Sequence, residues 1–171
     1  DGRKSKPQKI AGNGFEIETA LNGLGQEAVV AVTRSKQSRS STETTRYDDA
    51  DGDGLFVESF SIEVARGGLD ARLEQHQFTF DADGKVLTDL ELKRGRWVQD
   101  RIDADEQYTL VDTGGTTQYV VVTEQERDGI EFEVFRNDNG DGIWTKVAEG
   151  ESEGPYIDPA SGAVDLVGLM P

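Results

Sequence analysis

Asp49, Asp51 and Asp53 occupy alternate positions of "DADGDG" (49–54), and Gly54 closes the run. The spacing returns in "NDNGDG" (137–142), with Asn137, Asn139 and Asp141 followed by Gly142. Oxygen-bearing side chains at alternate positions, then glycine, match the first half of a cation-binding loop. A hard divalent cation such as calcium needs about six to eight oxygens at roughly 2.3–2.6 Å. A tightly curled loop turns its first, third and fifth residues inward, and glycine at the sixth permits the bend. The seventh residue adds a backbone carbonyl, here Leu55 or Ile143. The apolar neighbours Phe56 and Trp144 are expected to anchor each loop to a core.

Asp, Asn and Gly are also the ordinary residues of tight turns, because they tolerate positive φ and bond to their own backbone. The first loop is distinguished by three aspartates that repel one another unless a cation intervenes, with Asp48 adding to the repulsion. The second carries fewer formal charges and is expected to bind more weakly. Asp81 and Asp83 in "FDADGKV" (80–86) read as a plain hairpin turn before an alternating strand.

The match ends at the twelfth loop position, where a helix–loop–helix calcium site has a bidentate Glu. Phe60 and Ala148 stand there instead, and the flanks alternate as strands do. The two loops therefore resemble the DxDxDG calcium loops of extracellular bacterial β proteins. The resemblance covers about ten residues twice, not the whole chain. It implies Ca2+ as cofactor. The remaining ligands would come from Asp48, Glu58 or Asp138, from other loops, or from water.

No other catalytic pattern is specific. The chain has one histidine, His76, and no cysteine. Disulfide scaffolds, zinc–thiolate sites and cysteine nucleophiles are excluded, and His76 reads as a structural or surface residue. Carboxylates are so numerous that the pair a glycosidase needs could be chosen almost anywhere. Trp97, Trp144, Tyr47, Tyr108, Tyr119 and Tyr156 could make a sugar-stacking face, but core and cross-strand packing is the simpler role. The basic island "RGRW" (94–97) with Arg101 is expected to stitch parts of the chain together through nearby Asp100, Asp103 and Asp105.

The elements that position these residues are strands. "FEIETAL" (15–21), "EAVVAVT" (27–33), "LFVESFSIEVA" (55–65), "HQFTF" (76–80) and "KVLTDLEL" (85–92) are alternating or β-branched. "QYTLVD" (107–112), "QYVVVTE" (118–124) and "IEFEVF" (130–135) continue the pattern. Short Gly-, Asn- and Asp-rich connections predict antiparallel hairpins. "GLDARLEQH" (68–76) is the one helical candidate, and a strand lead-in fits it equally.

Three segments recur in order: 22–33 with 112–123, 47–56 with 135–144, and more loosely 80–92 with 157–169. The spacing predicts an internal duplication into halves of roughly 75–80 residues. The expected fold is all-β, antiparallel hairpins forming a β-sandwich or barrel from two internally duplicated halves. The expected organisation is a flexible leader (1–14), a first repeat (15–92), a connecting segment (93–106) and a second repeat (107–171), packed as one domain.

The net charge of −16 argues against nucleic acid or an anionic membrane surface as partner and suits cations. No apolar run is long enough to span a bilayer, so membrane insertion is not expected. These features together suggest a secreted or cell-surface calcium-binding β module, bacterial and non-enzymatic, with an adhesion or ligand-binding role. A cell-surface protein or polysaccharide is its expected partner. The alternatives are a carbohydrate-active hydrolase with paired carboxylates and a small-ligand-carrying β-barrel.

Overall fold

The computed structural model describes residues 8–10, 14–66, 74–127 and 129–153. Among these the fold is all-β. Its strands are β1 (Gln8–Ile10), β2 (Phe15–Leu21), β3 (Glu27–Gln37), β4 (Ser41–Asp48), β5 (Val57–Ala65) and β6 (Gln75–Phe80). The remainder are β7 (Val86–Lys93), β8 (Arg96–Gln99), β9 (Glu106–Asp112), β10 (Gln118–Gln125), β11 (Ile130–Asn137) and β12 (Trp144–Ser152).

All strand pairs are antiparallel, in one sheet ordered β1-β2-β3-β4-β5-β12-β11-β10-β9. Two meanders, β2–β5 and β9–β12, meet at the central pair β5·β12. The start of β12 also pairs with β6, which leads on to β7 and β8. The path has two ends, β1 and β9, so the described strands do not close into a barrel.

Turn chemistry sets these pairings. Between β2 and β3 the Asn22 side chain accepts from the Leu24 and Gln26 amides, both at 3.0 Å. Between β7 and β8, Arg94 and Gly95 both adopt positive φ, 53° and 76°. Two consecutive left-handed residues make the mirror-image turn whose twist matches a hairpin.

The core lies on both faces of β10–β12. The run "YVVV" in β10 is buried throughout, as expected of a strand covered on both sides. Tyr119 and Val121 join Phe60, Ile62, Phe132, Val134, Val147 and Ala148 on one face. A bulge at Val134/Phe135 places both Val147 and Ala148 in this cluster, because one extra residue is inserted in β12. Phe60 stacks on Phe132 at 5.9 Å between ring centroids. Gly150 passes so close that a Cβ there would meet the Ser61 carbonyl and the Phe132 ring. Val120 and Val122 join Phe78, Phe135 and Trp144 on the other face. The β6–β7 hairpin supplies Phe78, which makes an edge contact with Phe135 at 5.2 Å.

Four strands lie outside the segments anticipated from sequence: β1, β4, β8 and β12. β1 falls in the expected leader, and β8 folds back on β7 within the expected connecting segment. Most of the helical candidate at 68–76 lies outside the described residues, but Gln75 and His76 are the first residues of a strand. Tyr156 and the loosely matching segment 157–169 also lie outside them.

Candidate metal centre

The β4–β5 connection curls around its own aspartates. Asp49 accepts from the Gly52 amide at 2.8 Å and, through its second oxygen, from Gly54 at 3.1 Å. Asp51 accepts from the Asp53 amide at 3.3 Å, and Asp53 from Leu55 at 2.7 Å. Gly52 and Gly54 take φ of 77° and 87°, which L side chains rarely adopt. The result gathers one carboxylate oxygen from each of Asp49, Asp51 and Asp53 within 4.8 Å of one another. Facing carboxylates at this separation repel unless a cation or solvent intervenes.

The β11–β12 connection repeats the construction. Asn137 accepts from Asn139 at 3.3 Å and Gly140 at 2.9 Å, Asn139 from Asp141 at 3.4 Å, and Asp141 from Ile143 at 2.8 Å. Gly140 and Gly142 take φ of 70° and 80°. Leu55 and Ile143 thus occupy equivalent places, each with its amide bonded to the aspartate two residues before. The apolar anchors differ. Trp144 is buried in the second core cluster, whereas Leu55 is 70% exposed and Phe56 38% exposed. The first loop extends past the end of the core, so Phe56 does not anchor it as expected.

The register separates the two loops. β5 begins beside the end of β12, with Phe60 opposite Ser152, and ends beside Ala148. The first loop precedes β5 and the second precedes β12, so they lie at opposite ends of the sheet and cannot share an ion.

Two of the suggested extra ligands are engaged elsewhere. Asp48 takes two oxygens to the Arg46 guanidinium, whose Nη2 lies 2.8 Å from its Oδ1, and also accepts from the Ser59 hydroxyl. Burial disfavours the Asp48 carboxylate, but Arg46 and Ser59 outweigh it and hold the group below the usual range. Arg46 also reaches Glu18 on β2 at 2.7 Å. Asp138 pairs in the same way with Arg136, two residues before it, at 3.0 Å. Glu58 turns toward a different feature.

That feature is a cavity of about 600 Å³ over β4, β5 and β10–β12, lined by Glu43, Glu58, Glu63, Glu133, Glu149 and Glu151 among others. Strand register stacks its glutamates opposite one another: Glu43 by Glu63, Glu63 by Glu149, Glu149 by Glu133. A second row runs Glu106, Glu124, Glu131, Glu151. Like charges directly opposite are destabilising. Burial and the nearby Glu151, Glu153 and Glu43 raise the Glu58 carboxyl above its ordinary range. Lys146 offsets part of this, 2.6 Å from Glu149 and paired with Glu133.

Beside the cavity, His76 is 3% exposed. Its Nδ1 lies 2.6 Å from Asp89 and its Nε2 2.9 Å from Glu74. Asp89 also accepts from the Tyr108 hydroxyl at 3.3 Å. Burial works against the imidazolium, but the hydrogen bonds to Asp89 and Glu74 prevail and push His76 up to about 9. His76 is therefore buried and does not lie on the surface. The period-two pattern of "EQH" (74–76) and "DLE" (89–91) was the available signal, and it is a weak one.

Three of the other singled-out aromatic residues are packed against the core, while Trp97 stays exposed. Tyr119, Trp144 and Tyr108 pack in the two core clusters. Trp97 and Arg96 sit on β8 against β7, and Arg101 pairs with Asp103 at 2.6 Å. Asp81 accepts from the Asp83 and Lys85 amides, both at 2.9 Å, in the β6–β7 turn. No helix among the described residues is long and apolar enough to cross a membrane. No protein-family model matches this chain, and no curated protein or solved structure matches it significantly.

Proposed function

We propose that the chain is a secreted or cell-surface calcium-binding β module with an adhesion or ligand-binding role and no catalytic activity. Its primary Ca2+ site is Asp49, Asp51 and Asp53 with the Leu55 carbonyl. A weaker second site is Asn137, Asn139 and Asp141 with the Ile143 carbonyl. The observation that carries this reading is the convergence of three aspartate oxygens within 4.8 Å on a loop bent at two positive-φ glycines. Bound calcium removes the mutual repulsion and fixes the loop, so binding is linked to folding. Both loops are built on open hairpins with few protein ligands, which suits the weak affinities, about 10⁻⁴–10⁻³ M, of extracellular modules. The same reading takes the two meanders as copies of one unit, supported by their identical order outward from β5·β12 and their matching loops.

Thermal melting with and without calcium tests it. At 10 mM Ca2+ and a dissociation constant near 1 mM, linkage gives about 1.4 kcal/mol. That is a rise of roughly 3–6 °C in a chain of this size. Asp51→Ala and Asp53→Ala should each reduce it. Identical melting curves in calcium and in chelator would reject the reading.

The glutamate cavity supports a second reading, a hydrolase using paired carboxylates, since cross-strand neighbours such as Glu63 and Glu149 stand about 4.5–5.5 Å apart at Cβ. It ranks second because the two rows give many equivalent pairs and no distinguished acid and base. Hydrolysis of a chromogenic glycoside, abolished by Glu149→Gln, would favour it over the binding role.

A further inference from the structure

We propose that Glu74, His76 and Glu91 form a separate site for a first-row divalent transition metal of the zinc class. The three offer one ligand atom each within 4.8 Å of one another. Their placement follows from register. Glu74 and His76 are two residues apart and share a side of the chain, and Glu91 stands directly opposite His76 on β7. Asp89, two residues before Glu91, therefore lies on the same face and meets His76 Nδ1 at 2.6 Å.

That last contact is what distinguishes the cluster from a chance group of acids. A metal-binding imidazole almost always donates its other ring N–H to a carboxylate, which fixes the tautomer and aims the free nitrogen at the ion. Asp89 is 4% exposed and is itself held by the Tyr108 hydroxyl. It leaves Nε2 directed at Glu74. One imidazole nitrogen with two carboxylates is a donor set for zinc-class ions, whereas calcium takes oxygen alone.

The surroundings leave room for it. A cavity of about 290 Å³ borders Glu74, His76 and Asp89, large enough for water to complete the coordination. Lys93 pairs with Glu91 through Oε2, and Lys146 lies 3.7 Å from Glu74 Oε2. Metal binding would displace the Nε2 proton to solvent, and Glu74 Oε1, on the imidazole side, would turn from it to the ion. The site shares no ligand with either loop, although His76 pairs with Trp144, which directly follows the second loop.

Because His76 is the chain's one histidine, its ring nitrogens give unambiguous NMR signals. The metal-stripped full chain, held in saturating Ca2+, is titrated with Zn2+ at pH 7.5. We expect one equivalent to move the Nε2 resonance to the value of a neutral, metal-bound imidazole. Glu74→Gln and Glu91→Gln should each weaken Zn2+ by about tenfold or more, and Asp51→Ala should leave it unchanged. His76→Ala should abolish it, and the two glutamine variants keep the test decisive if that variant fails to fold. Ring nitrogens unmoved by excess Zn2+, or Zn2+ affinity unaltered in both glutamine variants, overturns the proposal.

Discussion

Arg46 holds Asp48 through two guanidinium nitrogens, with Nε at 3.0 Å from Oδ2 and Nη2 at 2.8 Å from Oδ1. The acidic residue immediately before the loop is thereby withdrawn from it, leaving Asp49, Asp51 and Asp53 as the converging triad. The same guanidinium ties β4 to Glu18 on β2. Arg46→Met leaves two half-buried carboxylates without their cation and should cost about 1.5–3 kcal/mol in urea unfolding. The calcium affinity of the folded variant should be nearly unchanged. Asp48 is held below its ordinary range, so its contribution is present above pH 3.8 and is lost as pH falls through the lowered value. A large loss of calcium affinity in Arg46→Met would show that Asp48 belongs to the site.

The opposite placement of the two loops makes them independent. Asp141→Ala should remove the weaker calcium event and leave the stronger one as it is, while Asp51→Ala should do the reverse. Calorimetric titration of both variants checks this, and coupling between the two events would contradict it.

The glutamate rows predict an unusual acid response. Glu58 is raised by burial and by Glu151, Glu153 and Glu43. A carboxyl with a raised folded pKa gives stability that is complete below its unfolded pKa near 4.5 and is lost as pH rises through the folded value. Lowering the pH from 7.5 toward 4.5 should therefore remove this penalty and raise the melting temperature in metal-free buffer. Glu58→Gln should raise it at pH 7.5 and flatten the dependence. A melting temperature that falls over this interval would contradict the repulsion argument.

Gly150 lies between the Ser61 carbonyl and the Phe132 ring, where a methyl group has no space. Gly150→Ala should force β5 and β12 apart and disturb the Phe60–Phe132 stack, at about 1–3 kcal/mol. Denaturant unfolding measures it, and a neutral substitution would mean that the β5·β12 junction is looser than described.

Much of this sheet was legible in the sequence where hydrophobic alternation was strong. "FEIETAL" coincides with β2, and "QYVVVTE" and "IEFEVF" fall within β10 and β11. β4 escaped because "STETTRYD" is almost wholly polar, its strand character coming from threonine and from pairing on both sides. β12 escaped because "WTKVAEGES" carries a bulge that breaks the alternation and a glycine needed for close packing. Both loops could be read from spacing alone, since the bend depends on local residue types. The enclosure of His76 and the glutamate rows could not, because they arise from which strands become neighbours.

Calorimetric titration of the full chain with Ca2+, and separately with Mg2+, tests the central claim most directly. The account predicts a saturable calcium event of sub-millimolar to millimolar affinity, lost in Asp51→Ala, with a second weaker event and little response to Mg2+. A flat calcium titration, with the carboxylates of Asp49, Asp51 and Asp53 unchanged in millimolar Ca2+, would contradict it.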